Sequence, residues 1–213
     1  MGYSVFAGNL AMYYAGDYPG APEQPPFDRD QLLAAVRQWQ EAVASKIPGC
    51  QGWDEGYGAP YLQANLGLDA FGALLLRVSC AITGAECPAT IPSRWRFYED
   101  ATVDEAMSAE GSVLSSLIAD LWIPSKEIGL FQCVGPAGNQ VTASTLATLH
   151  RDLVAINQAV WGAPGEEIVS WSDSYPGSEG VLDTDRLSRF AFSVLVRLVV
   201  FAEGQGRPII VGH

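Results

Sequence analysis

The sequence predicts an α+β protein, helix-dominated, with a small mostly antiparallel sheet in a single domain spanning residues 1–213. Two long amphipathic runs and several short alternating ones predict it. In the run Asp183 to Glu203, Leu187, Phe190, Ala191, Val194, Leu195, Leu198, Phe201 and Ala202 recur at three- and four-residue spacings, which puts them on one wide face of a helix. Leu146, Leu149, Leu153, Ile156 and Val160 form a second such seam. The alternating runs, such as Trp95 and Phe97 against Arg94, Arg96 and Tyr98, are too short for more than a small sheet. Neither a fixed-period repeat nor a linker divides the chain, and 213 residues suffice for one sizeable core.

Taken in order, Tyr3, Val5, Leu10 and Met12 alternate as a first strand within residues 2–13, and the Pro- and Gly-rich residues 14–26 form a loop. A helix capped by Asp28 presents Leu32, Leu33, Val36, Trp39, Ala42 and Val43, and ends at Lys46-Ile47-Pro48-Gly49. A Gly- and aromatic-rich loop, 50–63, precedes a helix from Leu66 to Ile82, which Gly84 terminates. After the turn Cys87 to Pro92, Arg94–Tyr98 reads as a short strand. The acidic residues 99–110 open a helix at Thr102, which continues from Ser112 to Leu121 and closes at Trp122-Ile123-Pro124. Lys126–Val134 reads as a strand, 135–139 as a turn, and Ser144 or Thr145 as the cap of the helix through Trp161. Residues 162–180 form a long polar loop with a brief strand at Ile168-Val169. Asp183 or Thr184 caps the last helix, Gly204 ends it, and Arg207–Val211 is a final strand. About five helices are expected, with those starting near 145 and 184 central.

Charge narrows the function. Twenty-four acids against 12 Lys and Arg give a net charge of −12, which repels a nucleic-acid backbone and steers a basic protein partner inward. Hydrophobic residues make up 48% of the chain, and the mean hydropathy of +0.11 indicates a folded protein. The last helix carries Arg186, Arg189, Arg197 and Glu203, so it reads as buried in protein and not as a membrane span. Met1-Gly2-Tyr3-Ser4 lacks a basic export region, and a cytoplasmic location is the expectation. Cys50, Cys80, Cys87 and Cys133 have no metal-ligand spacing and are expected as free thiols.

Motifs for catalysis are sparse. His150 is the only internal histidine, and the nearest approach to a nucleophile elbow, Pro176-Gly177-Ser178-Glu179-Gly180, has proline where the first glycine belongs. Neither a phosphate-cradling glycine loop nor a zinc or calcium pattern is present, so no cofactor or metal is expected. Asp54, Glu55, Asp104, Glu105, Asp173 and Glu179 could supply a carboxylate pair, but spacing in sequence does not select one.

The loops 50–63 and 162–180 both set aromatic residues beside acids. Trp53, Asp54, Glu55 and Tyr57, with Trp171, Asp173, Tyr175 and Glu179, are the candidate binding residues, and 99–110 adds a third acidic patch. In size, charge and the lack of an export region the chain resembles bacterial immunity proteins of contact-delivered toxins, a general resemblance that assigns no residue roles. The leading expectation is an acidic cytoplasmic protein-binding module, an inhibitor of a basic toxin or enzyme. A small hydrolase with its site between the two loops is the alternative, and a homodimeric structural or regulatory protein is the third reading.

Overall fold

The computed structural model describes residues 3–19, 21, 28–47, 49–50, 52–56, 58–177 and 180–212. In chain order the elements are β1 (Ser4–Ala7), α1 (Leu10–Ala15), α2 (Arg29–Ala44), β2 (Leu62–Asn65), α3 (Leu68–Thr83) and β3 (Thr90–Pro92). A 3-10 turn (Phe97–Glu99), α4 (Ala101–Ser108), α5 (Leu114–Leu117), β4 (Leu121–Ile123), β5 (Leu130–Val134) and β6 (Gln140–Thr145) follow. The chain continues with α6 (Leu146–Val160), α7 (Gly165–Ser170), β7 (Val181–Asp183), α8 (Thr184–Gln205) and β8 (Ile209–Gly212). The fold is α+β, as expected, with eight α-helices among the described residues where five were expected.

Six strands form one sheet in the order β2-β1-β8-β4-β6-β5, and β3 pairs with β7 in a second, two-stranded sheet. Every neighbouring pair in the larger sheet is antiparallel except β4 and β6, which run parallel with Leu121 opposite Ala143 and Ile123 opposite Thr145. Side chains alternate across a pleated strand, so β1, β4 and β8 each feed two cores. Val5, Ala7, Trp122, Ile209 and Val211 face the larger core with α3, α6 and α8. Phe6, Leu121, Ile123, Ala143 and Ile210 face the smaller one with α1 and α2.

The helix from Thr184 forms where periodicity placed it. Asp183 caps it by accepting from the backbone N–H of Arg186 at 2.8 Å. Its apolar face, including Leu187, Leu195 and Leu198, is buried in the larger core, mainly against α3. Burial of each such side chain stabilises the fold by roughly 1.5–3 kcal/mol, so truncating Leu198 to Ala is the kind of change that would loosen this layer. The helix passes through Gly204 and stops at Gly206, whose φ of 60° is the left-handed conformation that ends helices. Among the described residues no helix is long and apolar enough to cross a membrane.

The departures from expectation have local causes. Leu10 and Met12 lie on α1 and not on a first strand; the chain turns at Gly8, where a Cβ would stand 2.7 Å from the Phe6 ring. Arg94, at φ 60°, begins a turn that leads into the 3-10 segment, so Arg94–Tyr98 is not a strand. Ile168-Val169 lies in α7, which Pro164 precedes. The apolar stretch before Pro124 is divided between the short α5 and β4, whose three residues are all buried. The expected strand at Lys126 begins only at Leu130; β2 starts in the segment read as a loop, β3 lies in the one read as the turn Cys87 to Pro92, and β6 and β7 follow directly on the segments read as the turn 135–139 and the loop 162–180.

A polar chain inside the larger core sets α6 against β4. The Trp122 indole N–H donates to the Ser116 carbonyl at 2.8 Å, and the Ser116 hydroxyl donates to Asp152 at 2.6 Å. Arg151 holds the other Asp152 oxygen at 2.7 Å. Asp152 is 2% exposed, so removing a partner would leave a buried charge short of hydrogen bonds.

Candidate functional site

Of the candidate residues in 50–63, Trp53 and Glu55 are 6% and 4% exposed, so neither belongs to a surface rim. One Glu55 oxygen accepts from the Leu10 N–H at 3.2 Å and from the Trp53 indole N–H; the other accepts from the Ala11 N–H at 2.9 Å. These backbone donors open α1, whose own N-cap residue, Asn9, does not cap it with its side chain. Glu55 therefore supplies the cap from a distant part of the chain. Burial pushes its carboxyl above the ordinary glutamate range, and the three donors and Arg207 pull it partly back.

The surrounding groups tie the same loop to α2 and to Arg207, which precedes β8. The Asn9 amide donates to the Gly56 carbonyl at 2.6 Å and accepts from Arg207 at 2.7 Å. The Gln40 amide donates to the Trp53 carbonyl at 2.6 Å. Asp54 is the exposed member, 3.7 Å from Arg207. Tyr57 lies outside the described residues.

In 162–180, Trp171 is half-buried against Trp161, with ring centroids 5.4 Å apart, and the Arg189 guanidinium lies 4.8 Å from its ring centre. That cation also holds Asp185 at 2.7 Å and Glu167 at 3.4 Å. Asp173 is exposed. Tyr175 is 39% exposed and packs edge-on to Phe190, while a Cβ on Gly67 would meet its hydroxyl at 2.7 Å. Glu179 lies outside the described residues. Trp53 belongs to the smaller core and Trp171 packs on the larger one, so the sheet separates them and they line no common cleft.

The third acidic patch is the best exposed. Asp100 caps α4, accepting from Thr102 at 2.9 Å and Val103 at 3.3 Å, while Asp104, Glu105 and Glu110 face solvent. Tyr98, 65% exposed, stands next to Glu99, which Arg96 holds at 3.0 Å.

A concave site lies elsewhere, beyond the carboxyl ends of the parallel strands β4 and β6. It encloses about 820 Å3 between the segment after β4, the start of α6 and the end of α8. Ser125, Lys126 and Glu127 form one wall, Leu146, Ala147 and His150 another, and Glu203 and Gly206 a third, with Gly49 and Gly52 at the edge. The Thr145 hydroxyl donates to the Glu127 carbonyl at 2.7 Å, and the Gly129 N–H donates to the Thr148 hydroxyl at 2.8 Å, which fixes the first wall to the helix. His150 Nδ1 lies 2.9 and 3.0 Å from the two Glu203 oxygens.

Sequence reasoning singled out His150 as the only internal histidine but not Glu203, because their pairing depends on how α6 packs against α8. The parallel strand pair behind the cleft was also missed, and no local pattern marks it. No protein-family model matches the chain, and none of the curated proteins or solved structures compared with it is a match.

Proposed function

We propose that the chain is an acidic protein-binding module that covers a basic surface of a toxin or enzyme, as an immunity protein does, and that the edge formed by Tyr98 and α4 is its docking surface. The observation that carries the reading is how charge is distributed. Among the described residues Arg29, Arg77, Arg96, Arg151, Arg189 and Arg207 each face an acid of the chain itself, which leaves only the other six of the 12 Lys and Arg outside an ion pair against 24 acids. Asp104, Glu105 and Glu110 are exposed and form no ion pair with a described residue, and the largely exposed ring of Tyr98 precedes them. Unpaired carboxylates accelerate encounter with a basic partner, and a desolvated aromatic slows its escape. Asp173 and Tyr175, the exposed members of the predicted 162–180 rim, are the secondary candidate.

The test is affinity capture from lysate and secreted fractions at about 0.15 M salt and again at high salt. A captured basic protein is then measured against Asp104→Asn/Glu105→Gln and Tyr98→Ala. The charge variant is expected to slow association about tenfold and flatten its salt dependence, and Tyr98→Ala to speed dissociation. A partner whose affinity both variants leave unchanged removes α4 from the interface. Capture that salt does not weaken counts against the electrostatic reading itself.

A further inference from the structure

We propose that the cleft beyond β4 and β6 is a hydrolytic site for small carboxylic esters, with His150 as the base that activates water and Glu203 as the residue that positions the imidazole. This is independent of the docking surface on α4.

The pair has the geometry of an oriented base. With the neutral imidazole's proton on Nδ1, facing a carboxylate at 2.9 and 3.0 Å, the lone pair is on Nε2, the nitrogen that can accept a proton from water. The wall bearing it is rigid: His150 is one turn into α6, whose first turn is tied to residues 127 and 129.

Glu203 is not where helix preference would put it. It lies in the last turn of α8, at the negative end of the helix dipole, where an anion is disfavoured. Glu203 and His150 are 37% and 51% exposed, and a solvent-exposed contact between a carboxylate and a neutral imidazole adds little to the fold. A locally disfavoured acid holding a histidine in a cavity is the kind of rule-breaking that marks functional sites.

The lining selects the substrate. Among the described residues Lys126 is the only Lys or Arg on the wall, against Glu127 and Glu203, so a doubly charged phosphate ester is repelled. A neutral ester of a short acyl group fits a wall otherwise made of small and apolar residues such as Gly52, Leu146 and Ala147. In the reaction Nε2 takes a proton from water as the oxygen bonds to the acyl carbon, leaving an oxyanion and an imidazolium facing Glu203. The oxyanion then collapses, the ester C–O bond breaks, and the imidazolium returns its proton to the departing alkoxide. The products are an alcohol and a carboxylic acid, which loses its proton to the solvent.

The experiment follows initial rates of p-nitrophenyl acetate hydrolysis by the full chain, with circular dichroism on each variant. The expected result is saturable turnover well above that of equimolar free imidazole. His150→Gln is expected to lower kcat/KM about 100-fold. Glu203→Gln should lower kcat about tenfold at unchanged KM, with Glu203→Asp recovering part of the loss. Ala147→Leu, which narrows the cleft without altering the pair, should raise KM. His213→Gln, the control for the other histidine, should change nothing. Wild-type turnover no faster than imidazole, or an unchanged rate in folded His150→Gln, overturns the proposal. A Glu203→Gln variant that raises KM at unchanged kcat overturns the positioning role.

Discussion

Two glutamates at helix ends show how differently this chain uses the same side chain. Glu55 is buried at the N-terminus of α1 and accepts from two backbone N–H groups and an indole. Glu203 is part-exposed at the C-terminus of α8 and contacts one imidazole on the wall of a cleft. The first sits at the helix end that suits an acid and is satisfied by its own chain, although burial opposes its charge. The second works against its helix and is satisfied by a group that can itself move a proton. An acid beside an aromatic ring is therefore not evidence of a binding rim: Trp53 and Glu55 have that pattern and together support α1.

The largest effect that would break this comparison is on stability. Glu55→Ala leaves two N–H groups of α1 and the Trp53 indole without their acceptor, each a buried donor, and should cost about 3 kcal/mol or more. Urea unfolding measures it. A loss below about 1 kcal/mol would mean that water replaces the carboxylate and that the cap is dispensable.

A smaller effect sharpens the account of that same group. Burial raises the folded-state pKa of Glu55 above its unfolded value, so the folded protein holds this proton more tightly. The stability it contributes is complete below the unfolded value of about 4.3 and is lost as pH rises through the folded value. Glu55→Gln cannot titrate, so its stability deficit relative to wild type should be largest in acid and shrink as pH rises through that window. Unfolding curves at a series of pH values give the difference. A deficit that grows with pH would show that the three donors outweigh desolvation.

The parts of the fold that were legible in the sequence are those specified by near neighbours. The seams of α6 and α8 follow helical spacing, and Asp28, Thr145 and Asp183 cap the helices they precede. β4 was not legible because Leu121, Trp122 and Ile123 are buried on both faces, and such a run lacks the alternation that identifies a strand. β6 leads without a loop into α6, so its Thr and Ser residues read as the approach to a helix cap. The cleft depends on both strands and inherits both failures. Glu55 is comparable: its acidic, aromatic setting was visible, but its partners lie 45 and 44 residues away, at Leu10 and Ala11. The exposed patch on α4 was legible because charge density requires no tertiary information.

The most direct test of the central claim, that Glu55 supports the fold while Glu203 serves the cleft, measures Glu55→Gln and Glu203→Gln side by side. Each variant is unfolded in urea, and its p-nitrophenyl acetate turnover is expressed per folded molecule. Glu55→Gln is expected to lose about 2 kcal/mol and keep wild-type turnover, whereas Glu203→Gln should stay within about 0.5 kcal/mol and lose about tenfold in kcat. A Glu203→Gln variant as unstable as Glu55→Gln, or one that turns over at the wild-type rate, would contradict that claim.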